Sequence, residues 1–420
     1  MKRLGNLYAK IYDLDNLREA YRKARRGKGN RYGVKLFEKN LESNLLDLQR
    51  RLIDKTYRTS KYETFLIYEP KEREIYRLPF PDRVIHHAIM NILEPIWVSL
   101  FSYDTFSCIK KRGIHGAESA LRRDIERYPN ETIFCLKIDI KKFYPSVDHD
   151  KLKMIIRRKI KDSDLLELLD GIIDSASGVP IGNYLSQYLA NLYLAYYDHD
   201  VKILFGLKDS KKLREAYTPE YIRRSREIEP RDNVKERLSD EALAARFRES
   251  IRNFKIYKRY ADDSIYLSKD KVFLSMLLDW IGLYYARELR LRIKETWQIF
   301  PIEDRGIDFV GYVTRHKYVL LRKSIKRNFF RKVRRLLKLN PDISRSKLIQ
   351  TVCSYYGWCL HCNGRHLLKT IFKSLDDESK MCLPKAVDVS RPRRRNVSLQ
   401  LQRKERNRKG SSDPNRNADV

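Results

Sequence analysis

The sequence contains no run of about 18 apolar residues, which is the length that a membrane-spanning helix requires. Residues 1–6 lack the apolar core of a secretory signal, so export is not expected. Cysteine is scarce, with 6 in 420 residues, and in a chain without such a signal these are expected to be reduced thiols. No internal repeat is evident. These absences favour a cytoplasmic protein and argue against a membrane-spanning, disulfide-stabilised or repeat architecture.

Acidic residues are also in short supply. The chain has 55 Asp and Glu residues against 88 Lys and Arg residues, which gives a formal net charge of +33. Such an excess is typical of proteins that bind polyanions, and nucleic acid is the first candidate. An anionic membrane surface is the second. With 420 residues, the chain is long enough for two or three subdomains with a sizeable core.

The strongest local signal is a pair of adjacent aspartates, Asp262 and Asp263, within residues 256–267. β-Branched and aromatic residues on both sides predict two strands joined by a tight turn, with the aspartates at its tip. Adjacent carboxylates repel each other unless a cation lies beside them. A third carboxylate, Asp139, ends the predicted strand 133–140. Three aspartates from two strand ends predict a divalent-cation site, because such cations prefer oxygen ligands. An ordinary Asp-Asp surface turn is the alternative.

The segment Tyr-Ala-Asp-Asp, residues 260–263, resembles the catalytic hairpin of reverse transcriptases. The resemblance implies an α+β fold of the right-hand polymerase type, with fingers, a palm built on an antiparallel sheet, and a helical thumb. It implies RNA-directed DNA synthesis, in which a DNA or RNA primer on an RNA template is extended with dNTPs. It also implies two Mg²⁺ ions, with Mn²⁺ as the alternative cation. Their ligands would be Asp139, Asp262, Asp263 and the backbone carbonyl of Ile140.

Two further segments resemble nucleotide-binding parts of the same family. Residues 65–79 predict a charged hairpin before a helix, as in the fingers, where Lys71 and Arg73 would hold the triphosphate of the incoming nucleotide. A guanidinium group binds phosphate oxygens in pairs, although a solvated, salt-bridged hairpin is the alternative. Tyr144, five residues after Asp139, would stack under the sugar and exclude a 2′-hydroxyl. Deoxynucleotides are therefore the expected substrate.

The glycine-containing loop at residues 178–183 precedes an apolar helix and resembles the loop that packs on the nascent base pair. Ile181 and Gly182 would lie at the nucleotide, since a glycine allows close backbone approach. The commonest family pattern has Gln at the position of Ile181. The variant Ile-Gly-x-x-x-Ser-Gln resembles the reverse transcriptases of diversity-generating retroelements, which copy a template RNA with errors at adenines. That resemblance implies low selectivity opposite adenine, and a small basic accessory protein as a partner.

The second half of the chain contains the remaining family features. Lys294 is the candidate for a lysine that protonates the pyrophosphate leaving group. Phe309, Gly311 and Tyr312 resemble the turn that grips the primer end. The basic helical pattern from residue 324 to about 376 is typical of a thumb that follows a duplex backbone.

Composition and pattern divide the chain into seven segments. These are an N-terminal helical basic region (1–60), the fingers (61–130), a first part of the palm (131–206), a charged insertion (207–250), a second part of the palm (251–315), the helical thumb (316–385) and a disordered basic tail (386–420). The insertion is expected to be solvated surface, with a contact to a partner or to template RNA as the alternative.

Three other functions remain open on the sequence alone. A retron or phage-defence reverse transcriptase would share the active site and use a different RNA. A noncatalytic RNA-binding scaffold would retain the fold, although the three aspartates argue against it. An intron maturase would need a further domain, and the polar C-terminal segment is expected to be too short to supply one. The resemblance to bacterial and phage enzymes implies a cytoplasmic protein that does not bind membranes.

Overall fold

Four helices form the amino-terminal region of the computed structural model, which describes residues 3–68, 72–206, 240–254, 256–337 and 341–373. They are α1 (Tyr8–Tyr12), α2 (Leu14–Arg25), α3 (Tyr32–Glu38) and α4 (Leu41–Ile53). Asp13 begins α2 by accepting hydrogen bonds from the amides of Asp15 and Asn16. In α4, Leu45, Leu48 and Leu52 are buried at three- and four-residue spacing, which confirms the predicted helical pattern.

A β-hairpin and two helices follow. The strands β1 (Glu63–Ile67) and β2 (Arg73–Arg77) pair antiparallel, with Phe65 opposite Ile75. Helix α5 (Phe80–Val98) has Pro81 in its first turn, where a helix does not use the amide that proline lacks. Helix α6 comprises Gly113–Arg127. The hairpin and α5 confirm the sequence prediction, although residues 69–71 between the strands lie outside the described residues.

A four-stranded antiparallel sheet positions the predicted site. Its strand order is β4-β5-β3-β6, with bounds Phe134–Ile138 for β3, Ile256–Tyr260 for β4, Asp263–Ser268 for β5 and Gln298–Pro301 for β6. Ile138 at the end of β3 lies opposite Ser264 near the start of β5. Asp139 therefore leaves its strand at the same edge of the sheet at which the hairpin of β4 and β5 turns. The helices and antiparallel strands together confirm the α+β class.

Six α-helices lie between the end of β3 and residue 289 in the described part of the chain. They are α7 (His149–Arg157), α8 (Ser163–Ile173), α9 (Tyr184–Tyr193), α10 (Ala195–Gly206), α11 (Asp240–Asn253) and α12 (Lys271–Leu289). The amide of Lys151 donates to Asp148, which caps α7. Most side chains of α12 are buried, because it packs both on the sheet and on α11.

The charged insertion is only partly described, and its described part is not solvated surface. Residues 207–239 lie outside the described residues. In α11, however, Phe247 and Ile251 are fully buried, and Phe247 packs on Phe273 with ring centroids 5.5 Å apart. Arg246 forms an ion pair with Asp270 at the start of α12. The expectation of solvated surface is wrong here, because two apolar side chains within a charged segment are enough to anchor a helix.

The carboxyl-terminal elements are short strands followed by helices. They are α13 (Ile302–Arg305), β7 (Ile307–Phe309), β8 (Tyr312–Thr314), β9 (Val319–Leu321), α14 (Lys323–Leu337), α15 (Pro341–Cys359) and α16 (Arg365–Lys373). The chain divides into two compact units, of which the first comprises Met1–Val310 and Thr314–Lys317 and the second Gly311–Val313 and the described residues from Tyr318 onward. Within the described ranges, no helix is both long and apolar enough to cross a bilayer.

Candidate active site

The turn between β4 and β5 consists of two residues, Ala261 and Asp262, because Tyr260 pairs directly with Asp263. Ala261 has φ of 55°, which is the left-handed region that a residue with a side chain rarely adopts. An unfavourable backbone conformation in an ordered turn persists only where surrounding contacts hold it. The predicted hairpin is therefore present, and its tip is held under strain.

Asp139 and Asp262 lie together at the edge of the sheet. The pKa of Asp262 is raised to about 7, first by burial and then by the carboxylate of Asp139, which lies within hydrogen-bonding reach, with a smaller effect of Asp263. A hydrogen bond from its own backbone amide acts in the opposite direction. The two carboxylates thus repel each other in a half-buried setting, and a cation would relieve that repulsion.

Asp263 faces a different neighbour. Its Oδ2 lies 3.5 Å from Nζ of Lys137, and the same ammonium group donates to the backbone carbonyl of Asp308. Lys137 and Asp139 project from the same face of the β3 edge, because alternate residues of a strand share a face. The structure thus brings Asp139 and Asp262 together and directs a carboxylate oxygen of Asp263 towards a lysine.

The oxygen atoms at this edge of the sheet are of the kind that a divalent cation binds. Among the residues that the structure describes, no three His, Cys, Asp or Glu side chains already stand in an arrangement that could hold a metal ion. Two repelling carboxylates, Asp139 and Asp262, with the backbone of Ile140 next in the chain, nevertheless supply hard oxygen donors of the type that Mg²⁺ prefers. The residues present therefore fit such a cation in chemistry, although not as a finished ligand cage.

Lys294 lies beside Asp139. Its amide donates to the Asp139 carbonyl at 2.8 Å, and its Nζ lies 3.5 Å from Asp139 Oδ2. An isolated antiparallel bridge between Ile140 and Ile293 brings the two segments together. The hydrogen bonds of this bridge use the Asp139 carbonyl and the Lys141 amide, not the carbonyl of Ile140. A lysine that the sequence located only loosely is thus placed at the aspartate pair.

Tyr144 belongs to the same neighbourhood. Burial raises the pKa of its phenol, and Cys108 and Asp262 raise it as well, while Arg73 lowers it. The tyrosine, the turn aspartate and the first residue of β2 therefore lie within electrostatic reach of one another. Lys71, the other predicted triphosphate ligand, lies outside the described residues. Cys108 was not singled out from the sequence, where its loop gave only a weak basic and glycine-containing signal.

The glycine-containing loop lies between Tyr144 and the hairpin of β1 and β2. The Val179 amide donates to the Tyr144 carbonyl at 2.8 Å, and the Tyr76 amide donates to the Ile181 carbonyl at 2.8 Å. Gly182 has φ of 120°, and a Cβ there would lie 2.8 Å from the Tyr76 carbonyl oxygen. Ile181 and Gly182 thus lie against β2, on a backbone path that only glycine allows.

The three predicted primer-grip residues are divided between the two units. Phe309 is buried in the first unit. Gly311 and Tyr312 belong to the second unit, where the Tyr312 hydroxyl donates to the Trp358 carbonyl at 3.1 Å. A Cβ at Gly311, whose φ is 90°, would lie 2.7 Å from the Trp358 ring. Within the second unit these two residues are packed against a tryptophan.

Sequence reasoning missed a buried ion pair behind the turn, formed by Arg259 of β4 and Asp198 of α10. Neither side chain is exposed to solvent. The signal that could have found them is a charged residue inside an apolar run, since a buried charge is rare unless it is paired. Asp198 follows residues 192–197, which are apolar or aromatic, and Arg259 lies in a strand with three aromatic or aliphatic neighbours.

Comparisons with known proteins give distant similarities. No family model matches the chain. It is 25% identical over 301 residues to Group II intron-encoded protein LtrA of Lactococcus lactis subsp. cremoris, covering 64% of this chain and 49% of that protein. It is 25% identical over 263 residues to Protein YkfC of Escherichia coli K12, covering 59% of this chain and 65% of that protein.

A third relative is Nuclear intron maturase 4, mitochondrial, of Arabidopsis thaliana, at 25% identity over 148 residues, or 32% of this chain and 18% of that protein. The chain spans about half the length of LtrA and less than two thirds of YkfC. The names of two of these three relatives refer to introns. The similarities therefore connect the chain with intron-encoded proteins at the level of a distant relationship.

Proposed function

We propose that this protein is an RNA-directed DNA polymerase, which extends a primer on an RNA template with dNTPs. The observation that carries the proposal is the meeting of Asp139 and Asp262 at one edge of the sheet, although 122 residues separate them in the sequence. The Tyr-Ala-Asp-Asp hairpin, the distant similarity to intron-encoded proteins and the net charge of +33 support it. The right-hand arrangement of fingers, palm and thumb is part of the proposal.

In this proposal Asp139, Asp262, Asp263 and the Ile140 carbonyl hold the divalent cations. When bound, two such ions stabilise the attacking 3′-oxygen and the leaving pyrophosphate in an in-line displacement. Asp139 and Asp262 come from neighbouring strands, and their carboxylates together define where the cations bind. Lys294 holds a proton at Nζ, 3.5 Å from Asp139, where it is available to the leaving group.

The substrate follows from the residues around the aspartate pair. Tyr144 presents a half-buried ring near Asp262, and a ring at the sugar leaves no room for a 2′-hydroxyl. Arg73, together with Lys71, binds the triphosphate in this proposal, because a guanidinium group matches phosphate geometry. Deoxynucleoside triphosphates are therefore the proposed substrates, and RNA and a primer strand the proposed partners.

Replacement of the aspartates tests the activity. We expect Asp139→Asn and Asp262→Asn each to reduce primer extension on an RNA template by at least about 100-fold, because preorganised charge supplies most of the rate. RNA binding, measured by filter retention, should remain. The exposed Asp54 at the end of α4 provides a matched control, Asp54→Asn, with wild-type extension expected. Extension that survives in the Asp139→Asn/Asp262→Asn double variant would refute the polymerase.

A finer proposal concerns fidelity. Ile181 gives the incoming nucleotide an aliphatic neighbour where the commonest family pattern has an amide, so base-pair geometry opposite adenine is weakly constrained. We expect frequent misinsertion opposite template adenine, and we expect Ile181→Gln to reduce it in a steady-state misinsertion assay. Ile181→Leu, which keeps an aliphatic side chain of the same size, is the control. An error rate that is low in the wild type and unchanged in Ile181→Gln would contradict this proposal.

Action on an intron RNA is the second candidate, and the names of LtrA and of the Arabidopsis maturase favour it. A retron-type or phage-defence role and a noncatalytic RNA scaffold remain alternatives. The extension assay separates the scaffold from the enzymes. Sequencing the RNA that copurifies with the protein distinguishes an intron from a template repeat or a retron RNA.

A further inference from the structure

The ion pair of Arg259 and Asp198 lies directly behind the turn that carries Asp262. Both side chains are fully buried, so their charges have lost all contact with water. A buried pair is tolerated only when its geometry is good and its remaining hydrogen-bonding groups are satisfied. The surroundings of this pair meet that condition on both sides.

Asp198 accepts four hydrogen bonds. The Tyr257 hydroxyl donates to Oδ1 at 2.6 Å and the Thr105 hydroxyl to Oδ2 at 2.7 Å. Arg259 donates through Nε to Oδ1 and through Nη2 to Oδ2, which makes a bidentate contact. The carboxylate is therefore fixed in position by donors from β4 and from Thr105, and it holds one edge of the guanidinium group in a single orientation.

The other edge of the guanidinium group reaches the turn. Nη1 of Arg259 donates to the Ala261 carbonyl at 2.8 Å and contacts Asn191 Oδ1 at 3.3 Å. Ala261 is the residue with φ of 55°, and its carbonyl belongs to the peptide bond that leads into Asp262. A planar, rigid fork thus connects α10 with the strained peptide that orients Asp262.

The turn needs such a contact because two forces act against it. The left-handed conformation of Ala261 is unfavourable for a residue with a side chain. Repulsion from Asp139 also pushes Asp262 away from the arrangement that the proposed cations require. The backbone of β4 is held separately, since the Arg259 amide donates to the Asp104 carbonyl and the Phe106 amide to the Arg259 carbonyl. Loss of the guanidinium group should therefore release the turn and leave the strand in place.

We propose that Arg259 and Asp198 form a positioning pair, which holds the Ala261 peptide and so fixes the Asp262 carboxylate beside Asp139. The inference rests on the proposed polymerase function, because it assigns these two residues to the same site. Both side chains are closed off from solvent, so they act on the reaction through the placement of Asp262. A rigid Arg fork does this where a Lys ammonium, a single point of charge, could not hold both Asp198 and Ala261.

Arg259→Lys is the direct test, with extension on a primed RNA template, Mn²⁺ binding by electron paramagnetic resonance and thermal melting as readouts. We expect kcat to fall about 100-fold, the size of loss that a misplacement of about 1 Å can cause, with KM for dNTP unchanged. We expect Mn²⁺ affinity to fall about tenfold, which is typical when the support of a ligand is lost. A rise in KM for dNTP as large as the fall in kcat would overturn the proposal.

Lys258→Met is the matched control. Lys258 precedes Arg259 in β4 and is also buried, and its Nζ donates to Asp104 at 2.7 Å and forms an ion pair with Asp124. The Lys258→Met variant thus removes a buried ion pair from the same strand and leaves the contacts of the turn unchanged. We expect kcat and Mn²⁺ affinity of the wild type at temperatures where the variant is folded. Losses equal to those of Arg259→Lys would show that the strand, not the turn, is affected, and would overturn the proposal.

The double variant Asp198→Leu/Arg259→Met separates positioning from stability. Replacing a buried ion pair by apolar residues of similar volume often leaves stability unchanged or raises it. We expect a melting temperature above that of Arg259→Met alone, which leaves the buried Asp198 carboxylate without its cation, together with the low kcat of Arg259→Lys. Recovery of kcat along with stability would overturn the positioning role. A wild-type protein that fails to extend any primer would instead refute the polymerase, so the two failures are distinguishable.

Discussion

At the scale of single residues, Gly178 shows how closely the segments around the proposed site approach each other. Its φ is 60°, and a Cβ at this position would lie 2.4 Å from the Tyr144 carbonyl oxygen and 2.7 Å from Cα of Pro145. These are backbone atoms, which cannot move aside as a flexible side chain can. The next residue, Val179, donates its amide to the same Tyr144 carbonyl. The glycine therefore sets the distance between the loop and the tyrosine.

We expect Gly178→Ala to lower the free energy of unfolding by roughly 2–4 kcal/mol, from the left-handed conformation and the overpacking together. Because the clash is with the Tyr144 backbone, we also expect weaker discrimination between dNTPs and rNTPs. Urea denaturation and competitive incorporation assays measure the two effects. Gly171→Ala in α8 is the control, because nothing lies within 4 Å of a Cβ there. Alanine at that helical position should stabilise by up to about 1 kcal/mol.

Lys137 illustrates a residue whose role could not be read from the sequence. It lies two positions before Asp139, so the alternation of a strand places both on one face. That much is a local rule. Its ion pair with Asp263 depends on the pairing of β3 with β5, in which Lys137 lies opposite Ile265. The sequence predicted three converging aspartates. The fold adds the ammonium group of Lys137, which forms an ion pair with the third of them, Asp263.

At the scale of elements, α5 combines a correctly predicted helix with an unpredicted titration property. Burial lowers the pKa of His86 to about 4, partly offset by Asp82, and burial with nearby Lys28 lowers the pKa of His87 to about 4. The ring of His87 stacks on Tyr184 with centroids 4.6 Å apart. His86 is buried and His87 is half-buried, so both are packed within the fold. How far the two pKa values are lowered depends on neighbouring residues from other elements of the fold.

The low pKa of His86 predicts sensitivity to acid. The unfolded chain takes up a proton on this side chain below its usual pKa of about 6.5, whereas the folded protein does so only near pH 4. The contribution of His86 to stability is thus fully present above pH 6.5 and is lost as the pH falls towards 4. Over this interval the loss is about 3 kcal/mol for a difference of about 2.5 pKa units.

We expect His86→Met to remove this share of the acid sensitivity, measured as the difference between urea denaturation at pH 7 and at pH 4.5. His366→Met, at an exposed position of α16, is the matched control for the replacement of a histidine by methionine. The same slope in His86→Met and in the wild type would contradict the assigned burial effect.

Local sequence patterns predicted some helices and strands correctly and missed the burial of another helix. The hairpin of β4 and β5, the helix after Pro81 and the amino-terminal leucine helices were all predicted, because turn residues, caps and periodic apolar side chains are local signals. Helix α11 was not placed in the core. Its charged residues are as many as its apolar ones, and the burial of Phe247 and Ile251 depends on α12, which packs over it.

At the scale of the whole molecule, the excess of basic residues acts collectively. Exposed basic side chains are concentrated on α14, where Lys326, Arg327, Arg331, Arg334 and Arg335 all face solvent. Such a surface suits a nucleic-acid backbone, because binding then releases condensed counterions. The division into two compact units also separates the predicted primer-grip residues, with Phe309 in the first and Gly311 and Tyr312 in the second. The predicted segment boundary at residues 315 and 316 lies close to this division.

The sequence by itself determined the α+β class, the position of the Asp-Asp hairpin and the basic character of the chain, because these depend on local pattern and on composition. The tertiary structure alone decided that Lys294 lies at Asp139, that Lys137 faces Asp263 and that Arg259 is locked between Asp198 and the Ala261 carbonyl. Each of these contacts joins segments through strand register or helix packing. Such contacts arise when the chain buries its apolar surface, and burial is what makes an enclosed charge require a partner.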